Sequence, residues 1–170
     1  MASISTQKGS SSSSFSSSTP KWKYDVFLNF GDKDTRNRFA DHLYVALRQK
    51  GIIIIRDDEL EKGESASPEL LKAIEETRFA IVILSENYAS STWCLDELVK
   101  IIECMKVIGT TVFPIFYNVD PSNVRNQTGS FAQAFAMYEE NFKNHIEKVH
   151  VWRSTLREVA NLKGWHILDR

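Results

Sequence analysis

The sequence predicts an α/β domain, with a parallel sheet of four to five strands and helices on both of its faces. Short apolar runs and amphipathic stretches alternate along the chain. The apolar runs are hydrophobic at consecutive positions, as in strands covered on both sides. Start and stop residues punctuate the amphipathic stretches where helices need them.

Residues 1–20 are serine-rich, with Ser10–Ser14 unbroken and Phe15 their one aromatic. Such a segment buries too little surface to offset ordering, so it is expected to be a disordered tail on a domain at 21–170. Tyr24–Phe30 is the first strand, followed by the loop Gly31–Asp34. Thr35 suits a helix cap, Phe39, Leu43, Ala46 and Leu47 form the stripe of the first helix, and Gly51 ends it. Ile52–Ile55 is β-branched and predicts a buried second strand. Asp57–Ser65 is a charged loop containing Gly63. Ser67 then caps a second helix, with Pro68 at its first position.

Phe79–Leu84 is the third strand, and a helix with Leu95, Leu98, Ile102 and Met105 on one side follows. Thr111–Tyr117 is the fourth, and its Pro114, which lacks a ladder donor, argues for an edge position or a bulge. Asn118–Gly129 reads as a long polar loop. Phe131, Phe135, Tyr138 and Phe142 mark one more helix, and Val149, Trp152, Leu156 and Val159 the last. Trp165–Leu168 is a short candidate fifth strand.

Composition narrows the functional classes. With 170 residues, 42% hydrophobic and 25% charged, one globular domain is expected. Twenty-one basic and 22 acidic residues give a net charge of −1, so neither nucleic acid nor an anionic membrane is expected as a partner. Cys94 and Cys104 fall on one helix, roughly 15 Å apart along its axis, too far for a disulfide. The histidines, His42, His145, His150 and His166, show no metal-ligand spacing, and no metal is expected. A reducing compartment fits two unpaired thiols. The chain has no apolar run long enough to span a bilayer, no secretory core, and Ala2 where myristoylation needs glycine.

One residue breaks the pattern of its helix. On a wheel, Asp96, Lys100 and Glu103 form a polar stripe, while Glu97 falls between Trp93, Ile101 and Cys104. A carboxylate in apolar surroundings is costly unless paired, and such groups are candidates for chemistry. An edge glutamate whose head reaches water or an arginine fits the pattern equally well. In parallel sheets ligands bind beyond the carboxyl ends of the strands. Glu97 lies in the early turns of the helix that leaves the third of those ends.

Common nucleotide and hydrolase signatures are missing. No Walker A motif and no Gly-x-Gly-x-x-Gly occur. Asp57 and Asp58 suggest a phosphoacceptor pair, but the third strand ends in Ser85 where a receiver needs aspartate. Ser85 has no Gly-x-Ser-x-Gly elbow.

Several segments together resemble one family. Tyr24-Asp-Val-Phe-Leu-Asn-Phe30 with Asp34-Thr-Arg36, and Gly51-Ile with Arg56-Asp-Asp, are similar to the opening motifs of plant Toll/interleukin-1 receptor (TIR) domains. Ser85-Glu-Asn-Tyr-Ala-Ser-Ser-Thr-Trp-Cys-Leu-Asp-Glu-Leu98 and Pro114-Ile-Phe-Tyr-Asn-Val-Asp-Pro-Ser122 resemble the later ones. The resemblance runs in order from about Trp22 to Leu168 and implies a flavodoxin-like fold. It also implies the signalling domain of an intracellular plant immune receptor, with nucleotide-binding and leucine-rich-repeat domains as partners. The cytoplasm is the expected location, with the nucleus open.

The resemblance further implies cleavage of NAD⁺ at the nicotinamide–ribose bond, with Glu97 as the catalytic residue. NAD⁺ enters as substrate, and no cofactor is implied. Phe30, Gly31, Asp32, Lys33, Asp34, Thr35, Gly63 and Trp93 are the expected substrate-binding positions. A useful carboxylate must keep its charge, so Glu97 is expected to be only partly buried. One loop departs from the family pattern Phe-Arg-Gly-Glu-Asp-Thr-Arg, reading Phe30-Gly-Asp-Lys-Asp-Thr-Arg36. Gly31 replaces an arginine that offers a rigid fork to anions, and Asp32 adds negative charge beside a dinucleotide. This loop is expected to weaken catalysis. Self-association with other TIR domains is also implied, through Asp41 and His42 on the first helix, although a solvated face would look the same. The rival reading is a non-catalytic adaptor acting only by TIR–TIR docking.

Overall fold

The computed structural model describes residues 22–31, 38–56 and 66–168. Its sheet has five parallel strands: β1 (Tyr24–Phe30), β2 (Ile54–Arg56), β3 (Thr77–Leu84), β4 (Thr111–Tyr117) and β5 (Trp165–Ile167). They are ordered β2-β1-β3-β4-β5. The register sets Val26 beside Ile54 and Phe79, Asn29 beside Val82, and Ile83 beside Ile115. The helices are α1 (Arg38–Gln49), α2 (Pro68–Glu75), α3 (Thr92–Val107), α4 (Pro121–Asn126), α5 (Ser130–Asn141) and α6 (Ile146–Ala160).

Strand order and handedness place the helices. The β1–β2 connection runs one way across the sheet and the later connections run the other. Right-handed crossovers therefore deliver α1 to one face and the later helices to the opposite face. The core divides in the same way. Val26, Leu28, Phe30, Ile83 and Ile115 pack with Ala40 and Tyr44 of α1. Phe27, Ala80, Val82, Val112 and Phe116 pack with Leu70, Leu98, Phe135 and Trp152 from the later helices. Residues two apart on a strand share a face, so Asn29 lies on the side of Phe27, where α3 packs.

Local chemistry explains the element ends. Gly51 takes φ +80° just after α1 and donates to the Arg48 carbonyl, a left-handed stop that glycine adopts without strain. The Ser67 hydroxyl accepts from the Leu70 amide at 3.2 Å, and Pro68 opens α2 as expected.

Four expectations need correction. The second strand is Ile54–Arg56 rather than Ile52–Ile55, and Ile53 is 57% exposed, because β2 is an edge strand. Pro114 sits neither on an edge nor at a bulge, since β4 lies between β3 and β5 with unbroken register to β3. The β5 ladder begins only at Ile115, so it asks no donor of Pro114. Residues 118–129 are not all loop. Asp120 caps α4 by accepting from the Ser122 amide at 2.8 Å, with Pro121 at the first helical position. The Ser122 hydroxyl also donates to the Asp120 carboxylate, and the amide bond first and then this one hold the Asp120 carboxyl below its usual range. Ala46, placed in the stripe of α1, faces solvent. The serine-rich segment and Thr35 lie outside the described residues. Among those residues, no helix is long and apolar enough to cross a membrane.

Candidate active site

The carboxyl ends of β1 and β3 meet the start of α3. After Leu84 the chain passes through buried Ser85 and a 3-10 turn at Tyr88–Ser90. Ser91 then caps α3, its hydroxyl accepting from the Cys94 amide at 3.2 Å. Glu97 stands one turn further on, facing β1.

Glu97 is 0% exposed. The side-chain amide of Asn29 donates from Nδ2 to Glu97 Oε1 at 2.7 Å. The Tyr88 hydroxyl donates to Asn29 Oδ1 at 2.5 Å and also lies 3.2 Å from the Cys94 carbonyl. The Cys94 thiol donates to the Phe30 carbonyl at 3.1 Å, tying the first turn of α3 to the end of β1. Trp93 is 7% exposed, and its Nε1 is buried without a hydrogen-bond partner. Among the described residues, no group of His, Cys, Asp and Glu is placed to hold a metal ion.

The helical wheel placed these side chains correctly. Trp93, Ile101 and Cys104 are buried with Glu97, whereas Glu103 is exposed and Asp96 and Lys100 are half-buried. Lys100 pairs with Glu75 at 2.6 Å, and that hydrogen bond raises its pKa. Asp96 accepts from Trp152 Nε1 at 3.0 Å. The expectation of a partly buried Glu97 is corrected, because the carboxylate is fully covered. The side-chain amide of Asn29 on the adjoining strand supplies a donor to it.

Phe30 and Gly31 are buried at the end of β1, and Trp93 is on the same helix as Glu97. Asp32, Lys33, Asp34, Thr35 and Gly63 lie outside the described residues. Asp41 and His42 are exposed on α1, well away from Glu97 in the sequence. Asp41 is engaged rather than bare. Arg56 Nη1 donates to its Oδ1 at 3.1 Å, and the same guanidinium stands 3.9 Å over the Tyr44 ring. Asn29 and Tyr88 escaped the sequence analysis. A single asparagine on the Phe27 face of an otherwise apolar strand was the available signal for the first. Tyr88 falls between the third strand and the following helix, where no periodicity singles out a residue.

Comparison with known proteins agrees with this geometry. The family model described as TIR domain matches residues 23–169. Disease resistance protein RPV1 of Vitis rotundifolia is 59% identical over 169 residues, covering 99% of this chain and 12% of that protein. TMV resistance protein N of Nicotiana glutinosa is 56% identical over 150 residues, covering 88% of this chain and 13% of that protein. The chain thus spans a small part of the curated relatives it matches. The TIR domains in a structure of the activated Roq1 resistosome, which directly recognizes the pathogen effector XopQ, superpose with a TM-score of 0.78 at 52% identity. That match covers 85% of this chain and 87% of the other. Sequence motifs, sheet order and all three comparisons lead to one assignment, and the chain belongs to the TIR domain family.

Proposed function

We propose that this TIR domain signals in plant disease resistance by self-associating and hydrolysing the nicotinamide–ribose bond of NAD⁺. One observation carries the catalytic half of the reading: a glutamate buried among apolar side chains at the carboxyl edge of a parallel sheet. Such a group is expensive to keep for stability alone. Breaking the bond needs no general acid, because the bonding pair leaves with nicotinamide and neutralises its pyridinium. The difficulty is the positive, oxocarbenium-like ribose left behind. A fixed carboxylate beside the ribose stabilises that charge as it develops. Trp93, with a buried donor lacking a partner, is the aromatic surface next to it.

A covered carboxylate cannot touch a ribose. In this reading the isolated domain is therefore a resting state, and contact between TIR domains opens the site. The relatives that are disease resistance proteins, and the resistosome that contains TIR domains, support an assembly of this kind. Nucleotide-binding and leucine-rich-repeat domains are the further partners proposed when the domain is part of a receptor, and the cytoplasm or nucleus is its proposed location. A non-catalytic adaptor is the second reading, favoured by Gly31 where the family carries arginine.

Nicotinamide release from NAD⁺, followed over a range of protein concentrations, separates the two. The enzymatic reading expects release that rises more steeply than the protein concentration and disappears in Glu97→Ala. No release at any concentration favours the adaptor.

A further inference from the structure

We propose that Asn29 and Tyr88 are positioning residues that aim and hold the Glu97 carboxylate, an inference that rests on the catalytic reading of Glu97 above. The chain of contacts runs from the Tyr88 hydroxyl to Asn29 Oδ1 at 2.5 Å, and from Asn29 Nδ2 to Glu97 Oε1 at 2.7 Å. Each link comes from a different element. Asn29 is on β1, Tyr88 opens the turn after β3, and Glu97 is on α3.

The fold does not require an amide at this point. Asn29 is fully buried on an inner strand, between Leu28 and Phe30 and beside Val82. An apolar side chain of similar size would serve packing as well, because exchanging satisfied buried polar partners for apolar groups of the same shape is close to neutral. What an apolar residue lacks is direction. The two ends of a carboxamide are chemically different, and both are used. A flipped amide would set Oδ1 against a carboxylate oxygen at hydrogen-bond distance, acceptor facing acceptor. An ionised Glu97 thus selects the observed orientation.

Tyr88 locks that orientation. Its hydroxyl has one proton, which it donates to Oδ1, leaving Nδ2 as the end that faces Glu97. The ring is itself fully buried, and its oxygen lies 3.2 Å from the carbonyl of Cys94, three residues before Glu97. The relay therefore fixes the carboxylate relative to both β1 and the first turn of α3. In this relay Asn29 and Tyr88 act through the Glu97 carboxylate, so their effect falls on the chemical step rather than on substrate capture. Small errors in the placement of a reacting group are costly in rate.

Steady-state nicotinamide release from NAD⁺ tests this with Asn29→Leu, Tyr88→Phe and the double variant, at matched protein concentration and alongside Glu97→Ala. Asn29→Leu is expected to lower kcat by about tenfold or more with KM little changed. Tyr88→Phe is expected to lower kcat less. The double variant is expected to match Asn29→Leu, because the hydroxyl acts through the amide. Wild-type kcat in both single variants while Glu97→Ala is inactive overturns the relay and leaves Glu97 standing. Effects that multiply independently, or that fall on KM alone, also overturn it. Glu97→Ala as active as wild type, or an inactive wild type, removes the catalytic reading itself and the relay with it. Should Asn29→Leu fail to fold by circular dichroism, the kcat and KM of Tyr88→Phe decide. The side-chain ¹⁵N amide signal of Asn29 then reports whether the hydroxyl was oriented on it, and an unchanged signal overturns the relay.

Discussion

A carboxylate taken out of water needs donors, and at Glu97 one of them is a strand amide. The helical wheel exposed Glu97 because a charge at a stripe position breaks a period that many residues define. Asn29 breaks no such period, since one polar residue on one face of a short strand is ordinary. Its meaning comes from Tyr88, which is 59 residues away in the chain and 2.5 Å away in space. Tyr138 shows the same principle without chemistry. Its buried hydroxyl donates to the Ala89 carbonyl at 2.6 Å, and burial pushes its pKa up to about 12. Burial likewise pushes the Cys104 thiol up to about 11, which keeps it protonated and unreactive near neutrality. Both groups bind their protons more tightly when folded than when unfolded. Their contribution to stability is complete below the unfolded values of 9.0 and 10.0 and is lost as pH rises through the folded ones. Chemical-unfolding midpoints should therefore fall across the alkaline range, and less steeply in Tyr138→Phe at its upper end. A midpoint independent of alkaline pH would contradict this.

Elements were legible where local chemistry marks them. Ser67-Pro68 opened α2 and Gly51 closed α1 as read, because caps and stops act within a few residues. The same cap logic applies to Asp120-Pro121, yet a six-residue helix is too short to show a period, and α4 was read as loop. Pro114 misled for a different reason. Whether a strand residue needs a donor depends on where the neighbouring ladder starts, and that is a tertiary fact. Gly164 lies directly against Pro114. A Cβ there would stand 2.3 Å from the Pro114 carbonyl oxygen and 2.8 Å from its Cγ. Gly164→Ala must therefore push β5 away from β4, with a cost of about 1–3 kcal/mol. Thermal unfolding should show a melting temperature lower by roughly 2–12 °C, and an unchanged value would mean that β5 shifts freely.

At the scale of the whole molecule, alternation of strand and helix was enough for the parallel sheet, and handedness then fixed which face each helix covers. Sequence could not show how the faces are finished. Phe79, Phe113 and Trp165 stack across β3, β4 and β5 at centroid distances of 5.8 and 5.7 Å, and Trp165 remains 57% exposed. Nor could it show that Asp41 would already be occupied by Arg56. An exposed pair of this kind contributes little to stability, and the exposed His42 and half-exposed Val45 of the same helix are the proposed docking residues. Sedimentation of the wild type should show association that grows with concentration, and His42→Ala should weaken it by about 0.5–2 kcal/mol of contact free energy. A monomer at every concentration would remove α1 as the docking face.

Whether the Glu97 charge carries the proposed cleavage is decided by comparing nicotinamide release by the wild type and Glu97→Gln in concentrated protein. Glutamine keeps the volume and one oxygen to accept from Asn29, and exchanges the second, charged oxygen for a neutral amide nitrogen. The account predicts release from NAD⁺ by the wild type and a loss of about a hundredfold or more in the variant, with the fold and association unchanged. Equal release by both proteins, or none by either, would contradict it.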